Sequence, residues 1–188
     1  NGKEIAFITN RGPYEPFLNT FALYVMGADG SNQKLLISDE NQEISGNISN
    51  PAWFSESEKI VFNLANHDFR NPDIFIYIAN KDGTNIWQLT YLPHEEARNQ
   101  MDFRPQVSPD GWRILFESNR NPPGIYMISS DGTNMLGLAI EEDASFPKWS
   151  TDGTIIAFLT SAGLKIMNLV DNSSFLILTQ THIFNYVW

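Results

Sequence analysis

The sequence predicts an all-β protein assembled from four similar antiparallel sheets. A motif of the form P-x-W-S-x-D-G-x-x-I-x-F recurs along the chain, and short β-branched and aromatic runs alternate with Asp-Gly turns. No window has an apolar stripe of helical period and length. The 188 residues are enough for one domain, and the 42% hydrophobic content is ordinary for a protein with a packed core.

The motif recurs four times, and its fourth copy is divided between the two chain ends. The clearest copy spans residues 105–116, and two more span 51–62 and 147–158. Residues 1–7 match the half after the Asp-Gly turn, and residues 186–188 match the half before it. Tight turns of this composition, in which glycine or asparagine takes the positive φ, predict a pair of antiparallel strands in each copy.

Two further strands are predicted after each copy, joined by a second turn. This turn reads Asp-Gly-Ser/Thr-Asn in three repeats and is degraded to Asp171-Asn172-Ser173 in the last. One aspartate and one asparagine offer too few oxygens for a calcium loop, so we interpret these residues as turn formers. The flanking runs lie at 23–26, 75–78, 125–128 and 164–167 before the turn, and at 34–37, 86–90, 135–138 and 175–179 after it.

Repetition of such sheets predicts a β-propeller. A single four-stranded sheet cannot bury both faces, so the recurring sheets must stack, and radial stacking around an axis gives a propeller. We predict one domain, 1–188, in which residues 186–188 form the innermost strand of the first blade with Trp188 close to Ile5. This pairing would close the ring and remove an open sheet edge. The predicted blades are 1–37 plus 184–188, 51–90, 105–138 and 147–179.

The motif, with Ile-Tyr-x-Met and Asp-Gly-Ser/Thr-Asn after it, resembles the TolB-type propeller repeat, a relative of the WD repeats. Residues 105–134 match best, and the repeat covers essentially the whole chain; Val107 and Glu56-Ser57 depart from the pattern. The resemblance implies a propeller and an extracytoplasmic, periplasmic location. TolB-type domains usually carry six or more blades, so the four seen here are either a closed four-blade ring or an excerpt of a larger one.

The composition argues against a nucleic-acid partner and against a membrane-spanning segment. Twelve basic and 22 acidic residues give a net charge of −10, whereas affinity for a phosphate backbone comes from lysine and arginine. We therefore predict no nucleic-acid partner. The longest apolar runs, such as 74–79, are far shorter than a membrane span, so we predict no membrane-spanning segment. The chain has no cysteine, so cysteine usage gives no information on the redox compartment in which the protein works.

Acidic residues gather in the loops that lead from the outermost strand of one blade to the innermost strand of the next. Such loops open on one face of a propeller, so their carboxylates would surround one mouth of the channel. We predict a platform for a basic partner, with a cation site and plain solvated loops as the alternatives. The partner-binding candidates in these loops are Glu95, Glu96, Glu141, Glu142 and Asp143.

The loops after the phenylalanine strands open on the same face and carry aromatic residues. An apolar anchor within a polar rim is typical of a protein-binding surface. We predict that Tyr14, Phe17, Phe69 and Arg70 contribute to a partner contact. The Asn-Arg pairs at 10–11 and 119–120 occupy matching places, so we interpret them as structural, with the arginine packed locally.

The tryptophans fall into two groups. Trp53, Trp149 and Trp188 recur at one motif position, so we predict that they pack between blades. Trp87 and Trp112 do not recur, and they are better candidates for a surface contact.

No catalytic motif is present. The chain lacks a Gly-x-Ser-x-Gly elbow, a His-Glu-x-x-His pair and a glycine-rich phosphate loop. We therefore predict a non-catalytic protein-binding or accessory propeller that needs no cofactor. The alternatives are a ligand- or sugar-binding propeller, or an excerpt of a larger propeller enzyme such as an oligopeptidase or a lyase.

Overall fold

A computed structural model describes residues 2–10, 21–38, 46–56, 58–65, 73–91, 99–141, 143–179 and 186. These residues form β-strands separated by turns and loops. The strands are β1 (Glu4–Thr9), β2 (Ala22–Gly27), β3 (Lys34–Ile37), β4 (Asn47–Trp53), β5 (Lys59–Ala65), β6 (Ile74–Asn80), β7 (Trp87–Gln88), β8 (Asp102–Val107), β9 (Arg113–Ser118), β10 (Gly124–Ser129), β11 (Leu136–Ala139), β12 (Ser145–Trp149), β13 (Ile155–Thr160), β14 (Gly163–Asn168) and β15 (Ser174–Leu178). Where the structure describes the chain, no helix has the length and apolar character needed to cross a membrane.

The strands form four antiparallel sheets, each made from one sequence repeat. In the described residues the first sheet has three strands, in the order β1-β2-β3. The second sheet is β4-β5-β6-β7, the third is β8-β9-β10-β11 and the fourth is β12-β13-β14-β15. This order, in which sequential strands are neighbours, confirms the predicted arrangement of strands within each repeat. The predicted pairing of Trp188 with Ile5 involves a residue outside the described ranges.

The chain divides into two compact units, residues 1–105 and 106–188, with the boundary inside β8. The core of the first unit lies between the first and second sheets. Leu23 and Val25 of β2 pack with Ile60 and Phe62 of β5, and the phenylalanine is fully buried. Burial of an aromatic ring of this size is a major source of stability, because it removes a large apolar area from water.

The core of the second unit repeats the arrangement between the third and fourth sheets. Leu115 and Ile125 pack with Trp149 and Phe158, so both recurring aromatic positions of the motif are buried here. The prediction that the motif tryptophan packs between sheets is confirmed for Trp149, and Phe158 is buried in the same cluster. The outermost strand of the fourth sheet, β15, is exposed along its whole length.

In each Asp-Gly-Ser/Thr-Asn turn, and in its degraded copy at 171–173, the aspartate side chain stabilises the turn by accepting hydrogen bonds. The Asp29 carboxylate accepts hydrogen bonds from the backbone N–H of Ser31 at 2.9 Å and from its hydroxyl at 2.6 Å. The same two bonds recur at Asp82, Asp131 and Asp171, which confirms the turn role predicted for these residues. The serine hydrogen bonds keep the pKa of Asp29 below its ordinary value.

The Ser-x-Asp-Gly part of the motif also forms a turn that side-chain hydrogen bonds stabilise. The Ser150 hydroxyl donates to the Asp152 carboxylate at 2.6 Å and accepts from the backbone N–H of Ile155 at 3.0 Å. These bonds join the two strands across the turn. The hydrogen bonds from Ser150 and Thr154 lower the pKa of Asp152 to about 2.

A β-bulge interrupts the first strand of the second and fourth sheets. In three sheets the residue before the motif proline has a positive φ, in the left-handed region. Asn50, Arg104 and Phe146 have φ values of 49°, 54° and 52°. The pairing register shifts between Ser49 and Ala52 in the second sheet and between Ser145 and Lys148 in the fourth. A bulge turns the strand and frees backbone groups from the ladder, so other donors and acceptors must satisfy them.

Candidate functional site

Each sheet has two unlike ends, which we call the turn end and the loop end. The turn end holds the Asp-Gly turns, and the loop end holds the segments that join the second strand to the third and one sheet to the next. Of the candidate residues predicted from the sequence, Glu141 and Asp143 are described, and they lie at the loop end. Those outside the described residues are Tyr14, Phe17, Phe69, Arg70, Glu95, Glu96 and Glu142.

Glu141 lies just after β11 and forms an ion pair within its own unit. Its Oε2 accepts a hydrogen bond from Lys165 Nζ at 2.6 Å, and Lys165 lies on β14. The pair is partly exposed, with 23% of the lysine side chain and 39% of the glutamate side chain accessible. An ion pair this open to water adds only about 0–1 kcal/mol. Its main effect is to neutralise one carboxylate of the predicted acidic platform.

Asp143 is also engaged by its own unit. Its Oδ2 accepts a hydrogen bond of 2.6 Å from the backbone N–H of Ser161, which lies in the turn between β13 and β14. The hydrogen bonds from Ser161 hold the pKa of Asp143 below its ordinary value. Glu141 and Asp143 thus fix the segment between the third and fourth sheets onto the β13–β14 hairpin. Both residues therefore stabilise the local structure of this segment.

The described part of the chain holds no group of three or more histidine, cysteine, aspartate or glutamate side chains that could bind a metal ion. All three histidines, at 67, 94 and 182, lie outside the described residues. The described carboxylates of the loop end are occupied by a lysine and a backbone N–H.

Two aromatic residues that the sequence interpretation missed are exposed at the loop end of the first unit. Tyr91 follows β7 and is 61% exposed, and Phe21 precedes β2 and is 43% exposed. Thr90, the neighbour of Tyr91, is buried and its hydroxyl accepts from the backbone N–H of Ile76 at 3.1 Å. The Phe21 backbone N–H donates to Asn47 Oδ1 at 3.4 Å. Both rings are thus carried by anchored backbone.

The Asn-Arg pair at 119–120 has the local role predicted for it. The Arg120 guanidinium lies over the rings of Phe116 and Tyr126, at 5.7 and 5.6 Å from their centroids. Its Nε donates to the Ser118 hydroxyl at 2.9 Å. A guanidinium that lies over two rings and is bonded to the last residue of β9 fixes the start of the loop that follows this strand.

The two non-recurring tryptophans differ. Trp112 is 74% exposed at the turn end of the third sheet, as expected for a surface residue, whereas Trp87 is half-buried in β7.

The turn end of the first unit has an open groove of about 980 Å³. Both signs of charge line it, and Lys81 there is already paired with Glu58 at 2.8 Å. The groove therefore selects neither an anionic nor a cationic ligand.

No protein-family model and no curated protein matches the sequence. Solved structures match it in three dimensions. An oligogalacturonate lyase in complex with manganese has a TM-score of 0.69 and 15% identity, over 98% of this chain and 52% of that one. An oligogalacturonate lyase from Vibrio parahaemolyticus has a TM-score of 0.66 and 13% identity, over 98% of this chain and 53% of that one. This chain thus spans about half the length of both lyases.

The β-propeller domain of the Trilobed protease from Pyrococcus furiosus is similar as well, with a TM-score of 0.50 and 14% identity over 69% of this chain and 41% of that one. Identity this low carries information on fold and not on activity. The chain is therefore similar in fold to β-propeller proteins, and its four antiparallel sheets fit four propeller blades.

Proposed function

We propose that this chain is a non-catalytic propeller module that binds a protein partner through the loop end of its blades. The observation that carries the proposal is the pair of exposed aromatic rings, Tyr91 and Phe21, at the loop end of the first unit. Each ring borders a loop in which the sequence predicts partner contacts, 92–98 and 11–20. We further propose that the repeats are of TolB type and that the protein works outside the cytoplasm, because the motif resembles that repeat.

The chemistry of these residues suits a protein partner. Large aromatic side chains on anchored backbone present apolar area at little cost in conformational entropy, which is how interface anchors act. Loop 92–98 carries two glutamates and one arginine, and the net charge of the chain is −10, so a basic surface on the partner would be attracted. Tyr91 and Phe21 would serve as anchors, and the carboxylates would form the rim.

Site-specific crosslinking tests the proposal. A photoreactive phenylalanine analogue at Tyr91, introduced into the protein in its own host, should give one discrete crosslinked protein species. The same analogue at Trp112, which is also exposed but lies at a turn end, is the matched control and should give none. Equal crosslinking at both positions, or none at Tyr91, would contradict a partner-binding loop end.

A second candidate function is favoured by one observation. The two oligogalacturonate lyases cover 98% of this chain but use only 52% and 53% of their own length. The chain would then be part of a larger propeller enzyme whose remaining blades contribute the reaction site.

An activity assay separates the two candidates. The full gene product, incubated with oligogalacturonate and with manganese added, should form no unsaturated sugar product if the chain is a binding module. Ultraviolet absorbance of the unsaturated ends reports the reaction directly. Product formation would reject the non-catalytic proposal and support the lyase-like one. A reaction without added protein is the control.

We also propose that the four blades close into a ring through the C-terminal residues. The proposal is supported by the first sheet, which has three strands among the described residues where each of the others has four. Residues 186–188 match the motif half that forms the first strand in each of the other three sheets. Since β1 and β3 are the edges of the first sheet, a strand beside β1 would give it the order of the other three.

A further inference from the structure

Each unit has a buried side chain that accepts a hydrogen bond from the left-handed residue before a motif proline. In the second unit, the backbone N–H of Phe146 donates to Glu117 Oε1 at 2.7 Å. In the first unit, the backbone N–H of Arg104 donates to Asn63 Oδ1 at 3.0 Å. Glu117 and Asn63 occupy the same place in the repeat, directly after the motif phenylalanine, and both are buried. The same backbone position is therefore supported by a neutral amide in the first unit and by a titratable carboxyl group in the second.

Two further carboxylates of the second unit hold the segment that leads from β11 into β12. Glu141 is paired with Lys165, and Asp143 accepts from the backbone N–H of Ser161, both at 2.6 Å. Both donors belong to the β13–β14 hairpin, whereas Glu117 lies on β9. Carboxylates thus attach this segment to the third sheet and to the fourth. We call Glu117, Glu141 and Asp143 the carboxylate clamp.

The strength of these contacts depends on ionisation, because a hydrogen bond to an ionised carboxylate is roughly twice as strong as one to a neutral acceptor. The hydrogen bonds from Ser161 hold the pKa of Asp143 below its ordinary value, with a smaller contribution from the charge of Lys165. Asp143 therefore stabilises the folded state most above that ordinary value, and this contribution is lost as the pH falls through the folded-state pKa. The ion pair between Glu141 and Lys165 is also lost when its carboxylate takes up a proton.

Among the described residues, the titratable groups beside the clamp keep their charge in acid. Burial, and then the negative charge of Glu117, raise the pKa of the Tyr186 hydroxyl well above its ordinary value. Lys148 of β12 lies 5.7 Å from the centre of the tyrosine ring, and Lys165 faces the other two carboxylates. On the neighbouring strand β10, the uncharged Ile125 lies opposite Glu117. Lysine and tyrosine stay protonated below neutral pH, so the carboxylates are the groups that change state.

We propose that the carboxylate clamp is an acid-sensitive device, which releases the segment leading into β12 while the strands of the fourth sheet stay paired. Phe146 has a φ of 52°, and a non-glycine residue keeps such a conformation only where its surroundings support it. Protonation of Glu117 weakens that support. Glu141 and Asp143 are also partner-binding candidates, so release would displace two carboxylates of the acidic platform. This last consequence rests on the proposed function, whereas the clamp itself does not.

Amide hydrogen exchange of the full chain tests the clamp. Protection factors, which correct for the pH dependence of the intrinsic exchange rate, should fall about fivefold or more at Phe146 and Ser161 between about pH 7 and about pH 2.5. The matched control is Leu169, whose backbone N–H donates to the carbonyl of Thr154 at 2.9 Å at the turn end of the same sheet. A carbonyl acceptor does not titrate, so the protection of Leu169 should stay the same. Unchanged protection at Phe146 and Ser161, or an equal fall at Leu169, would overturn the proposal.

Two amide variants assign the effect to individual carboxylates. Glu117→Gln and Asp143→Asn each keep an oxygen acceptor but cannot ionise. In Glu117→Gln the pH-dependent fall should vanish at Phe146 and persist at Ser161, and Asp143→Asn should give the reverse. A fall at Phe146 that persists in Glu117→Gln would reject the clamp. The comparison of the native protein at the two pH values decides the matter where a variant does not fold. The measurement needs no partner, so its failure is distinct from a failure of the proposed function.

Discussion

Replacing Phe158 with alanine should lower the free energy of unfolding by about 3–5 kcal/mol, because the ring fills the space between the third and fourth sheets and its removal leaves a cavity. Phe158 is 1% exposed and packs in a cluster with Leu115, Ile125 and Trp149. Urea titration followed by tryptophan fluorescence and by circular dichroism measures the loss, and agreement of the two probes checks the two-state assumption.

Phe175 provides the matched control for this substitution. It is also a phenylalanine on a strand of the fourth sheet, but 59% of it is exposed on β15. Its replacement with alanine should change the free energy of unfolding by less than about 1 kcal/mol. Equal losses at the two positions would show that the packed aromatic layer between the sheets is not what stabilises the second unit.

The second large effect is expected at a buried amide. Asn63 on β5 is fully buried, and its Nδ2 donates to the carbonyl of Asp102 at 2.8 Å. Its Oδ1 accepts from the backbone N–H of Arg104 at 3.0 Å. An Asn63→Leu variant would leave both backbone groups without this partner. Each buried unpaired group costs about 1–3 kcal/mol, so a total loss of roughly 2–6 kcal/mol is expected in the same titration.

The Asn63→Asp variant makes this prediction specific. Aspartate keeps the oxygen that accepts from the N–H of Arg104, but its carboxylate cannot donate to the carbonyl of Asp102. Near neutral pH the carboxylate would also be a buried charge beside the carbonyl oxygen of Asp102, so we expect a loss at least as large as that of the leucine variant. At acid pH the protonated acid can donate to that carbonyl, so the loss relative to the native protein should become smaller. A leucine variant as stable as the native protein would mean that the β8 backbone finds other partners.

The strand order within each repeat was predictable because the information is local. The Asp-Gly-Ser/Thr-Asn turns close through bonds between residues two positions apart, such as Ser31 to Asp29, and that chemistry is written in the sequence. Burial of the recurring Phe62 and Phe158 follows equally from the repeat. The local packing of Arg120 was predicted for the same reason, since its loop recurs.

The bulges were not predictable from the same signals. A residue before proline is normally extended, yet Arg104 and Phe146 are left-handed. What stabilises the Phe146 position is distant in sequence, because its backbone N–H donates to the buried Glu117 carboxylate at 2.7 Å. For this reason the innermost strands β4, β8 and β12 begin at Asn47, Asp102 and Ser145, before the prolines where the sequence motif begins.

The candidate site was predicted only in part, for a similar reason. The acidic character of the loop end is visible in the sequence, but the partners of Glu141 and Asp143 depend on which hairpin lies beside them. Tyr91 and Phe21 were missed because both stand at strand ends, where the sequence pattern does not distinguish a packed ring from an exposed one. A signal was present, since neither residue recurs at equivalent places in the other repeats.

The uncovered outer strand of the fourth sheet has a practical consequence for handling the protein. β15 presents Phe175, Leu176, Ile177 and Leu178 to water, and it carries neither a charged residue nor a proline. Any extended peptide can add to such an edge through backbone hydrogen bonds, including the same strand of another molecule. We therefore expect self-association at high concentration to involve this edge, and Ile177→Lys should reduce it in concentrated samples.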